Sequence, residues 1–219
     1  MLKLAATALA LAYAGAAVLM GQPRLNDPAS EARAALVLGD PAVAQIAASR
    51  LVAAEPMNGQ RLGLLGAARL ASGDAAGADA AYRASAEAGW RDAGTQAYWL
   101  SRAQDRGDWR QAALRLDALL RTDPQMKNMQ NLLAPFEASV EGREALAQTI
   151  ARPSPWRARY LRALGEISDA QLLARAQVVT ETGRALACED VAMLIGRLEE
   201  RGSAPTARTL RERHCADPA

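Results

Sequence analysis

Leu38-Gly39-Asp40-Pro41, Ser72-Gly73-Asp74-Ala75 and Arg106-Gly107-Asp108-Trp109 carry the reading of the fold, because their Gly-Asp pair returns each time 34 residues further on. A recurrence at a fixed period in this range marks a stack of supersecondary units, since one helix pair cannot bury its apolar face alone and must lie against copies of itself. Two antiparallel helices of roughly 13 residues plus two short turns fill that length. Glycine then ends the first helix of each unit in the left-handed conformation, and aspartate accepts amide hydrogen bonds at the start of the second.

Other residues keep the same frame. Counted from Leu25, Gly59 and Ala93, the twentieth position is Ala44, Ala78 and Ala112, where a small side chain lets two helices approach closely. The thirty-second is Pro56, Trp90 and Pro124, so two of the three units end on a proline that stops the second helix. In the middle unit Leu65 and Gly66 stand at the seventh and eighth positions, and Tyr82 at the twenty-fourth.

On these residues, over about positions 25 to 126, the units resemble tetratricopeptide repeats. That pattern is Leu-Gly early in the first helix, alanine and a large apolar residue in the second, and proline at the end. The resemblance is uneven, with Glu31-Ala32 and Trp99-Leu100 where Leu-Gly is expected, and Trp90 in place of the middle proline. It implies an all-α solenoid of helical hairpins that binds a protein in a concave groove lined by the first helix of each unit. The inward positions in this register are near Arg33, Val37, Gln60, Ala67, Leu70, Ser101, Gln104 and Asp105. Members that clamp the carboxylate end of a peptide need a run of Lys, Arg and Asn there, which this chain lacks. A shallow groove for an apolar or weakly polar helix fits better.

Composition sets the compartment. The 219 residues are 50% hydrophobic but only 4% aromatic, so the core must be built from Ala and Leu at short helix–helix distance. A net charge of +2 exerts no general pull on nucleic acid. Lysine occurs only at Lys3 and Lys127 while arginine abounds, the codon bias of a GC-rich bacterial genome. Lys3 followed by 17 uncharged residues, Leu4 to Met20, reads as a secretion signal or a signal-anchor helix in the inner membrane. Either way the remainder is expected on the periplasmic side; the competing reading is a buried first helix of a cytoplasmic stack. Cys188 and Cys215 agree with export: if Gly202-Ser203 is a degenerate corner, a last unit opens at Cys188, places Ala207 twentieth and brings the two cysteines within reach of a disulfide.

The organisation expected is therefore a leader at 1–21, a connector at 22–28, repeats over 29–151 and a C-terminal helical capping region over 156–219. A fourth, irregular unit is expected to turn near Glu141-Gly142, and Arg152-Pro153-Ser154-Pro155 is the best boundary. Beyond it, Trp156, Tyr160, Leu161 and Leu164 share one helix face, and Ser168-Asp169 reads as a cap.

Residues that could do chemistry are few. His214 is the one histidine, and its neighbour Cys215 diverges from it on a helix; one histidine with two separated cysteines is too few for a zinc site. No phosphate loop or nucleophile elbow is present. Arginines crowd at Arg152, Arg157, Arg159 and Arg162 and again at Arg201, Arg208, Arg211 and Arg213, interspersed with acids, which fits a solvated face better than an anion site. The functional expectation is a non-catalytic, cofactor-free scaffold of the bacterial cell envelope. It would bind a protein partner and no small-molecule substrate; the alternative is a structural subunit of a secretion, polysaccharide or cell-wall assembly.

Overall fold

The computed structural model describes residues 27–164 and 167–215, so the expected leader and most of its connector lie outside the described residues. Among the described residues there are twelve helices and no strand, and no helix is long and apolar enough to cross a membrane. The chain divides into two compact units between Asp108 and Trp109. That division falls at the third Gly-Asp corner, between the two helices that the 34-residue frame assigns to one hairpin.

The first unit holds α1 (Pro28–Leu38), α2 (Pro41–Ala54), α3 (Gly59–Ala71), α4 (Ala75–Ala88) and α5 (Ala93–Asp105). α1 packs on α2 and α3 on α4 as hairpins, while α1, α3 and α5 follow one another as a layer. All three corners have one geometry. Gly39, Gly73 and Gly107 take φ of 76°, 81° and 70°, and the amide of the following aspartate reaches back to Ala35, Arg69 and Ala103 at 2.8 to 2.9 Å. These bonds satisfy carbonyls that a helix end leaves without partners. Asp40 and Asp74 then cap the next helix, accepting from the N–H of Val43 at 3.1 Å and of Gly77 at 2.8 Å.

Small residues set the helix spacing. Ala44, Ala78 and Ala112, the twentieth positions of the frame, are fully buried, as is Ala207 of the degenerate last unit. The Tyr82 ring lies over Gly66, where an added Cβ would stand 2.9 Å from ring carbons, and it stacks on Tyr98 with centroids 4.1 Å apart. Gly66 is thus a close-approach position rather than a turn.

The second unit contains α6 (Trp109–Thr122), α7 (Met129–Ala138), α8 (Val140–Ile150), α9 (Arg157–Arg162), α10 (Asp169–Glu181), α11 (Cys188–Glu200) and α12 (Ala204–His214). α10 packs against α7, α8, α11 and α12, and Trp156, Tyr160, Leu161 and Leu164 are all buried. Its N-terminus is a complete capping box between Ser168 and Gln171.

The expected turn near Glu141-Gly142 is displaced. The break falls at Ser139, whose extended backbone and side chain cap α8 by accepting from the Gly142 N–H at 3.0 Å. Gly142 lies inside α8 because its Cα faces the Phe136 backbone, where a Cβ would come within 2.6 Å of the carbonyl oxygen. The degenerate corner, by contrast, repeats the earlier ones: Gly202 has φ 75° and the Ser203 amide donates to Leu198 at 2.7 Å. Cys188 opens α11, Cys215 follows α12, and the two form a disulfide with Cα atoms 4.7 Å apart. Closing a loop of this length contributes roughly 3.5 kcal/mol in the chain-entropy account.

An added Cβ at Gly73 would touch nothing within 4 Å, so Gly73→Ala isolates the backbone cost of a left-handed alanine. It is expected to lower the stability of the first unit by about 1–2 kcal/mol in urea or thermal unfolding.

Candidate functional site

The layer formed by α1, α3 and α5 encloses a cleft of about 210 Å³. Arg33 comes from α1, Gln60, Gly63, Leu64 and Ala67 from α3, and Arg91, Asp92, Ala93 and Gly94 from the entry to α5, with Tyr82 beside them. Its floor is made of small and apolar side chains because α3 presents Gly63 and Leu64 and, one turn on, Ala67. Its rim carries the cations Arg33 and Arg91.

A polar chain supports this rim. Asp92 caps α5, its Oδ2 accepting from the Thr95 N–H at 2.7 Å and from the Thr95 hydroxyl at 2.6 Å. The Thr95 and Ser85 hydroxyls are 2.7 Å apart, and Ser85 donates to the Gly59 carbonyl at 2.7 Å. Three helix ends are thereby joined through two buried hydroxyls. Gly63 makes room for the carboxylate, since a Cβ there would stand 2.3 Å from Asp92 Oδ2. Burial raises the Asp92 pKa above the usual carboxylate range, against the pull of the Thr95 hydrogen bonds and of Arg33.

A second depression of about 280 Å³ opens among α3, α4 and α5, lined by Leu70, Ala75, Ala76, Asp79, Tyr98, Ser101, Arg102 and Asp105. The Tyr98 hydroxyl donates to Asp79, which also faces Arg102 at 3.8 Å. Burial and then Asp79 push the Tyr98 pKa upward.

The groove positions read from sequence thus separate. Arg33, Gln60 and Ala67 share the first cleft; Leu70, Ser101 and Asp105 share the second depression; half-buried Gln104, whose carbonyl accepts from Gly107, and exposed Val37 line neither. The groove register does not include Arg91, Asp92 or Gly63. Asp92, three residues before Thr95 and just ahead of a helix, is the capping spacing that could have flagged them.

In the second unit, Arg175 is fully buried, a feature that sequence reasoning missed. Its guanidinium donates to Glu137 at 2.9 Å, to the Tyr160 carbonyl at 2.9 Å, to the Ala163 carbonyl at 3.3 Å and to Gln130 at 2.6 Å, and lies 4.4 Å from the Tyr160 ring centroid. Burial and Glu137 hold the Tyr160 pKa well above its ordinary value. This cluster lies in the core among α7, α9 and α10. Nearer the surface, Arg157, Arg201 and Arg211 pair with Asp190, Asp169 and Glu199, while Arg159 and Arg213 donate to backbone carbonyls. The Cys215 sulfur is bonded to Cys188, and His214 Nδ1 lies 3.2 Å from the Leu186 carbonyl oxygen. Among the described residues no group of His, Cys, Asp or Glu is arranged to hold a metal ion.

No family model, no curated protein and no solved structure matches this chain.

Three variants separate the roles of these buried charges. Asp92→Asn keeps an acceptor for the Thr95 amide, so stability at pH 7 is expected to change by less than about 1 kcal/mol. The parent carboxyl has a raised pKa when folded. Its contribution is full below the unfolded pKa and is lost as pH rises through the folded one, so acidification should shift the balance toward the parent. Glu137→Ala leaves the buried Arg175 charge without its carboxylate and is expected to cost about 3–5 kcal/mol in denaturant unfolding; Glu137→Leu/Arg175→Met is expected to recover only part of it, because the Tyr160 carbonyl and Gln130 then lose their donor.

Proposed function

We propose that the protein is a non-catalytic interaction scaffold of the tetratricopeptide-repeat type in the bacterial cell envelope. The residues 4–20 hold it in the inner membrane, or direct its export, and its repeats stand on the periplasmic side. The observation that carries the reading is the cleft made by the layered first helices α1, α3 and α5. A preorganised floor of Gly63, Leu64 and Ala67 receives an apolar side chain of a partner segment without ordering mobile groups. Gln60 offers amide hydrogen bonds, and Arg33 and Arg91 favour a partner with acidic groups beside its apolar anchor. The disulfide between Cys188 and Cys215 accords with an oxidising compartment.

The test places a photocrosslinking amino acid at Gln60 and, as a control, at exposed Glu87 on α4, in cells that make the protein natively. A discrete adduct at position 60 and none at position 87 is expected. Arg33→Glu should lower its yield about fivefold, the factor for roughly 1 kcal/mol. Equal labelling at both positions, or none at either, removes the cleft from the reading. Proximity labelling from the same chain checks the compartment, and a neighbour set drawn only from cytosolic proteins removes export.

A further inference from the structure

The first hairpin exposes Val37, Leu38, Val43 and Ile46 by 50%, 82%, 39% and 55%, four large aliphatic residues within ten positions around the Gly39-Asp40 corner. The other exposed large hydrophobics of the described residues are spread along the chain at Met57, Trp90, Leu114, Val140, Leu173 and Met193. The repeat supplies its own control. Thirty-four residues on, the same frame positions hold Ala71, Ser72, Gly77 and Ala80, and after another 34 they hold Asp105, Arg106, Gln111 and Leu114. Between Ala34 and Ser49 the only charged residue is Asp40; the matching window 68–83 has four and 102–117 has seven. Nothing in the hairpin geometry therefore demands aliphatic residues here. A terminal unit ordinarily presents a polar outer surface, so an apolar one needs a cover.

We infer that this corner, Val37, Leu38, Val43 and Ile46, rests on a phospholipid surface. The inference builds on the proposed role of residues 4–20 as a membrane segment. Only residues 21–27 separate that segment's end from α1, and such a linker reaches at most about 25 Å, so the first hairpin is held beside the bilayer. Four side chains are too small a patch for a lasting dimer, which needs about 600 Å² or more from each partner. A weak apolar contact becomes effective when the chain is already tethered to the surface it touches, because tethering raises the local concentration. The near absence of charge from Ala34 to Ser49 keeps the desolvation of that contact small.

The test reconstitutes the full chain into phosphatidylcholine vesicles carrying a lipid with a photoactivatable diazirine near its headgroup, and maps lipid-modified peptides by mass spectrometry. Labelling is expected both in residues 1–24 and in residues 37–46. Leu38→Ser/Ile46→Ser should reduce the second signal at least about tenfold and leave the first unchanged. Leu114→Ser, at the frame position of Ile46 two units on, should alter neither. All these side chains are exposed, and circular dichroism verifies that the variants fold. Lipid adducts confined to 1–24 overturn the docking while keeping the membrane segment. Their absence everywhere overturns both, and crosslinks from 37–46 to a second copy or to residues 1–26 assign the corner a different cover.

Discussion

Everything in the first unit depends on how closely two helices can approach. With few aromatic residues, the chain cannot fill wide gaps between helices, so its hairpins close on alanine at the frame's twentieth position. Alanine loses no side-chain entropy on burial and costs a helix nothing in propensity, which makes a core of many small contacts workable. The left-handed glycine corner is the complement of that contact. It reverses the chain within two residues and satisfies the carbonyls at the helix end, so that two close-packed helices can be sequential neighbours.

Glycine and alanine carry most of what is legible in the sequence, because both act through local geometry at fixed spacing. The corners at Gly39, Gly73, Gly107 and Gly202 are settled by φ and two backbone hydrogen bonds each, independent of distant partners. Gly142 shows where such reading fails. The same residue type near the expected spacing serves close approach to Phe136 instead of a turn, and only tertiary packing distinguishes the two uses. Arg175 was invisible for the same reason: its four acceptors are scattered over positions 130 to 163, and no local pattern announces them. The division at Asp108 likewise depends on what each helix packs against, which the 34-residue rhythm does not encode.

The cleft combines readable and unreadable parts. Arg33 and Gln60 follow from the repeat register, which assigns a side of the helix to each position. Asp92 and Gly63 meet across elements, through a carboxylate that fits only because its neighbour lacks a side chain. Between them the Thr95 and Ser85 hydroxyls fasten the entry to α5 to the last turn of α4 and the first residue of α3. Polar joints of this kind hold the rim without bulk.

Arg175 has a bearing on the uniqueness of the second unit. Greasy side chains in its place could hold α10 as firmly, but they would tolerate sliding, since one hydrocarbon contact replaces another. A slip of a single turn, about 5.4 Å, would carry the guanidinium away from every oxygen it now meets. The cation therefore acts as an index pin: it sets which turn of α10 stands opposite Glu137, and leaves the buried Leu172, Ala176, Val178 and Val179 of the same helix to supply adhesion without deciding position.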